Sequence, residues 1–284
     1  MWRGSTNDLG LWSRAQPAAE HPGWPVGWLI VELTVTRVAF GDVRIAYRDS
    51  GAGSAHSANE VPVLLMHGMG GDGHTWDRFA RQLVRRGRRV IIPDLRGHGR
   101  SAHTDSYRFP EFGADVLRLC ERLDLESVDL VGHSLGGYAV SWVAMERPEL
   151  VRRLVIEEQP LPLRSGDEQV AFTRRLPTVP ELWHATTSLL RHPRAVLSFD
   201  RSMTGTALEQ FRKPYPEWWE GLADITAPTL FLRGGPGGMV DPVKVEQMRT
   251  AVPDCEVRAF RCGHSIHRDR YSDFESAVLP FLGH

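Results

Sequence analysis

Val128-Asp129-Leu130-Val131-Gly132-His133-Ser134-Leu135-Gly136-Gly137-Tyr138-Ala139-Val140 is the stretch whose reading decides the fold. Val128 to Val131 is an apolar run of strand length, Gly132 to Gly136 is a Gly-x-Ser-x-Gly turn, and Leu135 to Glu146 follows with helical periodicity. A serine on so sharp a strand-to-helix turn has its hydroxyl pushed out of the fold, and its flanking glycines are needed because side chains there would strike neighbouring backbone. The turn also aims the Leu135 N–H, at the positive end of a helix, toward an oxygen that gains charge during acyl transfer. Ser134 is therefore a candidate nucleophile and the Leu135 amide a candidate oxyanion donor. The competing reading, an N-cap serine beside a packing glycine, is outweighed by the strand–turn–helix context.

Working outward, short apolar strands alternate with amphipathic helices on both sides of this turn. Upstream, Val63 to Met66 and Arg89 to Pro93 read as strands, with Thr75 to Arg86 and Pro110 to Leu123 as helices. Downstream, Leu154 to Ile156 is a strand. Leu29 to Phe40 and Val43 to Tyr47, separated by Gly41-Asp42, read as an antiparallel hairpin. The expected class is α/β, a mostly parallel sheet with helices on both faces. The rhythm breaks at Pro160: from there to about Leu222 only helix-like segments occur, Pro180 to Leu190 and one opened by Pro193. They are rich in aromatics that include Trp183, Trp218 and Trp219. A sheet pattern then resumes with Pro228 to Arg233, a helix from Pro242 to Ala251, a strand from Glu256 to Phe260 and a helix from Tyr271 to Leu282. Residues 160–222 are thus expected to form a helical cap, residues 28–159 and 223–284 the core, and residues 1–27 an extension without periodicity.

Composition narrows what such a chain can do. Its 34 Lys+Arg balance 35 Asp+Glu, with no block of like charge, so neither nucleic acid nor an anionic bilayer finds an electrostatic footprint. Cys120, Cys255 and Cys262 are too few and too irregular for a disulfide framework or a metal site, which favours a reducing cytoplasm. No secretion signal, membrane span, metal or cofactor is expected, and the chain is read as a monomer or homodimer acting on a small molecule.

Two further loops belong to the same rim. Leu65-Met66-His67-Gly68-Met69-Gly70-Gly71 leaves the end of an earlier strand; its glycines let the backbone turn N–H groups inward, making Met69 the second candidate oxyanion donor and Gly68 a candidate substrate contact. His67 reads as a brace for that loop, since no second His or carboxylate stands at metal-ligand spacing. Asp94-Leu95-Arg96-Gly97-His98-Gly99-Arg100-Ser101 lacks the Lys-Ser/Thr ending of a phosphate loop and reads as a tightly turned rim segment.

With His67-Gly68, Asp94 to Ser101, Gly132 to Gly137 and Gly263-His264 in this order, the sequence resembles the α/β-hydrolase superfamily from about Glu32 to its end. The resemblance implies a mostly parallel eight-stranded sheet with a helical cap inserted after strand six. It also implies that the general base comes last, in Arg261-Cys262-Gly263-His264-Ser265-Ile266-His267; the Gly-His position favours His264, with His267 as a surface or helix-start residue. Family members most often carry the acid just beyond strand seven, yet here Gly238 falls on that position. One branch takes it instead from the end of strand six, and this chain has Ile156-Glu157-Glu158-Gln159-Pro160 there. Strand alternation sends Glu157 and Glu158 to opposite sides. Glu158 is the preferred acid. Glu157, otherwise a strand-end carboxylate, and Asp241, otherwise an N-cap before Pro242, are the fallbacks.

Ser134, His264 and Glu158 together imply a cofactor-independent serine hydrolase, and the resemblance points to an ester or lactone as its substrate. A serine at the turn argues against the dehalogenase and epoxide-hydrolase members, which need a carboxylate there. Thioesterase or non-metal haloperoxidase chemistry is the alternative on the same triad; a receptor-like member with little turnover is the alternative of another kind. The aromatic cap suggests a partly apolar pocket, with Trp183 and Trp218 as candidate wall residues.

Overall fold

The computed structural model describes residues 33–51, 61–167 and 193–283, together with Trp183, Thr186, Thr187 and Leu190. The expected extension over residues 1–27 lies outside these, as do Leu29 to Glu32 of the first expected strand and residues 52–60 and 168–182.

Eight strands form one sheet in the order β1-β2-β4-β3-β5-β6-β7-β8. β1 (Thr34–Phe40) and β2 (Val43–Asp49) pair antiparallel across the two-residue turn at Gly41, whose φ of 66° suits glycine. β2 then pairs antiparallel with β4 (Val90–Pro93). All later pairings, through β3 (Val63–Met66), β5 (Val128–His133), β6 (Val151–Glu157), β7 (Thr229–Arg233) and β8 (Cys255–Ala259), are parallel. Parallel strands align their C-terminal ends on one rim, where the connecting loops converge.

Strand alternation divides the core into two. Leu64, Met66, Leu130, Leu154, Ile156 and Phe231 face α2 (Phe109–Arg122) and α3 (Leu135–Glu146). Val63, Leu65, Val131, Val155, Leu230 and Leu232 face the other way, against α1 (Asp77–Arg85) and the C-terminal helix Tyr271–Leu282. Strands covered on both faces are continuously apolar, which is why these runs were conspicuous in the sequence.

Two elements differ from expectation. The helix expected from Thr75 begins instead as a 3₁₀ turn, Gly73–Trp76, because the Asp72 carboxylate caps the His74 N–H at 3.0 Å and tightens that first turn. β6 starts at Val151 rather than Leu154. Arg152 and Arg153, which disguise the strand, find partners in the Asp129 carboxylate and the Phe281 carbonyl.

Between β6 and β7 the described residues hold only short helices: α4 (Pro193–Leu197), α5 (Ser202–Phe211) and α6 (Pro216–Gly221). The helix expected over Pro180 to Leu190 falls mostly outside the described residues; the four described positions there are helical. After β7 come α7 (Pro242–Ala251), α8 (Ile266–Asp269) and α9 (Tyr271–Leu282). Among the described residues no helix is long and apolar enough to cross a membrane.

Candidate active site

Ser134 stands between the last residue of β5 and the first of α3 with φ 53° and ψ −115°, a conformation costly for any residue with a Cβ. Backbone bonds on both sides hold it there: its N–H donates to the Glu157 carbonyl and its own carbonyl accepts the Gly137 N–H, each at 2.9 Å. Glycine is obligatory around it. A Cβ on Gly132 would lie 2.4 Å from the Gly136 carbonyl oxygen, and one on Gly136 would lie 2.4 Å from that of Met66. The turn therefore brings β5, α3 and the end of β3 as close as bare backbone permits. Leu135 opens α3, so its N–H has no acceptor within the helix and points out at the positive end.

The loop after β3 lies directly against this turn. A Cβ on Gly68 would fall 3.0 Å from the Ser134 Cβ and 2.7 Å from the His133 Nδ1, so the backbone passes over the serine with no room for a side chain. His67 fixes that loop, its Nδ1 bonded to the Gly68 carbonyl (2.8 Å) while Nε2 accepts the Leu95 N–H (3.0 Å). His98 repeats the device from the neighbouring loop. Its Nδ1–H donates to the Arg96 carbonyl (2.9 Å) and its Nε2 accepts the Gly70 N–H (3.0 Å), and burial lowers its pKa to about 3, keeping the acceptor nitrogen unprotonated. Asp94 ties the same two loops together by accepting the Gly73 and Arg100 N–H groups, both at 2.9 Å. Met69, between Gly68 and Gly70, is 39% exposed at the rim.

His264 follows β8, and its Nδ1 is 3.3 Å from Oε2 of Glu158. Glu158 is fully buried, with its backbone in the left-handed region at φ 48° and its N–H bonded to the Leu232 carbonyl at 2.9 Å. Its carboxylate also accepts the Gly234 N–H on Oε1 and the Met239 N–H (2.7 Å) on Oε2, so backbone donors from the loop after β7 hold it in place. A Cβ on Gly238 would lie 2.7 Å from Oε1 and 2.8 Å from Oε2. The carboxylate from the end of β6 fills the space that a side chain at 238 would occupy. His133 supports the histidine from below, its Nε2 donating to the His264 carbonyl at 2.7 Å, and burial lowers its pKa to about 3.

Both fallback carboxylates have other partners. Asp241 caps α7 through the Val243 N–H at 2.8 Å. Glu157, fully buried, accepts the N–H of His267 (2.9 Å) and meets its Nδ1 at 2.8 Å. His267 thus starts a helix as expected but does not lie on the surface: its ring stacks on Trp76 at 4.1 Å. Among the described residues no three His, Cys, Asp or Glu side chains are grouped closely enough to hold a metal ion.

The family model for the alpha/beta hydrolase fold matches residues 61–222, more than half of the chain. The chain belongs to the α/β-hydrolase family. It is 27% identical over 266 residues to an sn-1-specific diacylglycerol lipase of Xenopus laevis, covering 78% of this chain and 79% of the relative. It is 26% identical over 281 residues to a 2-hydroxy-6-oxononadienedioate/2-hydroxy-6-oxononatrienedioate hydrolase of Paraburkholderia xenovorans, covering 86% and 92%. Among solved structures, a hydrolase from Pseudomonas aeruginosa matches with TM-score 0.69 and 24% identity, over 88% of this chain and 98% of that one. Hydrolysis is the class of chemistry that the names of these relatives share, and with the family it supports hydrolase activity here.

In this α/β-hydrolase the two tryptophans singled out between β6 and β7 are placed very differently. Trp183 is 66% exposed. Trp218 is enclosed: its indole N–H donates to the Ser141 hydroxyl at 3.3 Å and its ring meets Tyr138 and Trp219, which makes it an anchor of α6 on α3. His133, His98 and Gln159 were not singled out from sequence. All three sit inside stretches that were, and their burial is the signal that periodicity could not supply.

Proposed function

We propose that this α/β-hydrolase is a cofactor-independent serine hydrolase that cleaves a small-molecule carboxylic ester or lactone through an acyl-enzyme. Ser134 Oγ attacks the carbonyl carbon as His264 Nε2 takes its proton, and the Met69 and Leu135 N–H groups hold the resulting oxyanion. Collapse breaks the bond to the leaving oxygen, which takes the proton from His264. In a lactone that oxygen stays tethered to the acyl group. Water then attacks the acyl-serine, giving its proton to His264, and the second tetrahedral species releases the acid and returns the proton to Ser134. Glu158 keeps the proton of neutral His264 on Nδ1 and stabilises the imidazolium.

The observation that carries this reading is the Glu158 carboxylate at 3.3 Å from His264 Nδ1, in the space left open by Gly238. Gly68 packs on Ser134 and keeps its own side of the nucleophile free of a side chain. On this reading residues 160–222 form the cap, which the break between β6 and β7 supports. Residues 28–159 and 223–284 form the core, and residues 1–27 the extension.

A fluorophosphonate probe and a panel of p-nitrophenyl esters, lactones and acyl thioesters test the proposal. Ser134→Ala is expected to abolish labelling and lower kcat by roughly 10⁴–10⁶-fold, with an unchanged circular dichroism spectrum. Turnover retained by that variant overturns the assignment, and a preference for thioesters in kcat/KM redirects the substrate class.

A further inference from the structure

We propose that Gln159 is a substrate-contacting residue whose side-chain amide binds a neutral hydroxyl or carbonyl group on the acyl portion of the substrate; this rests on the serine-hydrolase reading above. Gln159 follows Glu158 at the rim end of β6 and is fully buried. Neither its Nε2 nor its Oε1 has a hydrogen-bond partner, and among the described residues it is the one side chain with two such atoms. An orphaned buried polar group costs about 1–3 kcal/mol, so native structures keep few of them, and those few call for a bound group or a function.

Its position says which bound group. A Cβ on Gly137 would lie 2.8 Å from the Gln159 Cβ and 3.2 Å from its Oε1, so the side chain rests against Gly137 and depends on that residue having none. Gly137 belongs to the first turn of α3, the turn that Ser134 opens, and its N–H is bonded to the Ser134 carbonyl at 2.9 Å. On the far side, the Pro160 carbonyl accepts the Tyr138 hydroxyl, which pins the following residue to the same helix. The amide is thus held within one helical turn of the nucleophile, where the chain leaves the sheet for the cap interval. A molecule whose carbonyl sits at Ser134 places the rest of its acyl group beside this turn.

The chemistry of the amide defines the ligand class. It offers N–H donors and a carbonyl acceptor but no charge, so it matches a hydroxyl, ketone or amide and gives a buried ion hydrogen bonds without a counter-charge. A plain alkyl chain leaves both atoms orphaned. A site built to hydrogen-bond its substrate discriminates against the analogue lacking that group.

The experiment compares kcat/KM for p-nitrophenyl esters of hydroxy- and oxo-alkanoic acids with that for alkanoic esters of matched length, in the wild type and in Gln159→Leu. Intrinsic reactivity differences between esters cancel in the ratio of ratios. The polar-over-alkyl preference is expected to fall by about 10–100-fold in the variant, as loss of a hydrogen bond to a buried partner implies. A structural role would change both esters equally and leave the ratio alone. Should Gln159→Leu not fold, Gln159→Met, closer in shape to glutamine, makes the same comparison, with phosphonate labelling of Ser134 reporting a folded site. A preference unchanged by the substitution overturns the role of Gln159 and leaves buried water as the partner of its amide. Absence of Ser134 labelling and of ester turnover in the wild type overturns instead the hydrolase reading beneath it.

Discussion

Glu158 and Gly238 share one volume: a Cβ on the glycine would fall 2.7 Å from the glutamate's Oε1. The loop after β7 presents backbone N–H groups of Gly234 and Met239 to that carboxylate, so the site holds an acid that arrives from a different strand. In the proposed triad the acid holds one tautomer and stabilises the imidazolium, so what matters is the position of the carboxylate beside His264 Nδ1.

Glu158→Gln is expected to lower kcat by about 10³–10⁴-fold, the effect of losing the negative charge behind a general base, with KM little changed. Gly238→Asp alone also loses activity, because its Cβ collides with the Glu158 carboxylate. The double variant Glu158→Ala/Gly238→Asp should regain part of the loss, by delivering an acid to the same volume from the other strand. Steady-state kinetics on one p-nitrophenyl ester measures all three. Full activity in Glu158→Gln would remove this residue from the mechanism.

The neighbouring carboxylate predicts a pH effect on stability. Burial raises the Glu157 pKa from its ordinary 4.5 to about 7, opposed by the nearby His133, His264 and the backbone N–H of His267 and reinforced by Glu158. The folded chain therefore keeps a proton over an interval in which the unfolded chain has released it. The stability this supplies is complete below the ordinary value and is lost as the pH rises through about 7. Melting curves from about pH 5 to about pH 8 should show the wild type losing several degrees of Tm relative to Glu157→Gln. Parallel pH profiles for the two proteins would contradict this.

Much of the sheet was legible because its strands are covered on both faces and read as unbroken apolar runs, Val63 to Met66 and Val128 to Val131 among them. β6 was legible only in part, since Arg152 and Arg153 interrupt the run and their partners lie far away in sequence. The placement of Glu158 beside His264 follows the expectation that the family resemblance gave, once Gly238 stood where the acid is usual. The left-handed backbone of Glu158 was not legible, and neither was the Glu157–His267 pair, whose members are 110 positions apart. Aromatic content did not tell a pocket wall from a core anchor: Trp218 turned out to be fixed by a hydroxyl on α3, a contact that no local pattern encodes.

His67 joins two loops through both ring nitrogens, and its replacement should act on the oxyanion site more than on substrate affinity. His67→Phe leaves the Leu95 N–H without its acceptor, at about 1–3 kcal/mol, and the Gly68 carbonyl with only the Gly71 N–H. The loop carrying Met69 loosens, and kcat is expected to fall about 10–100-fold, less than the loss of an entire oxyanion donor, with a smaller change in KM. A defect confined to KM would show that the loop positions substrate rather than the developing charge.

Two glycine-to-alanine substitutions should move stability in opposite directions. In Gly136→Ala the new Cβ would sit 2.4 Å from the Met66 carbonyl oxygen and 2.7 Å from that of His67, a clash with backbone that no rotamer relieves. The added methyl can be accommodated only by pushing α3 away from β3, which opens the turn that holds Ser134. A loss of 3 kcal/mol or more, roughly the scale of other severe overpacking and backbone effects, is expected together with lost phosphonate labelling. At Gly205, on the exposed face of α5, a Cβ meets nothing within 4 Å. Gly205→Ala should stabilise the chain by about 0.5–1 kcal/mol by reducing the freedom of the unfolded backbone, with labelling unchanged. Urea denaturation of both variants distinguishes the effects: equal midpoints would mean that the contact between α3 and the end of β3 is not as tight as its geometry requires.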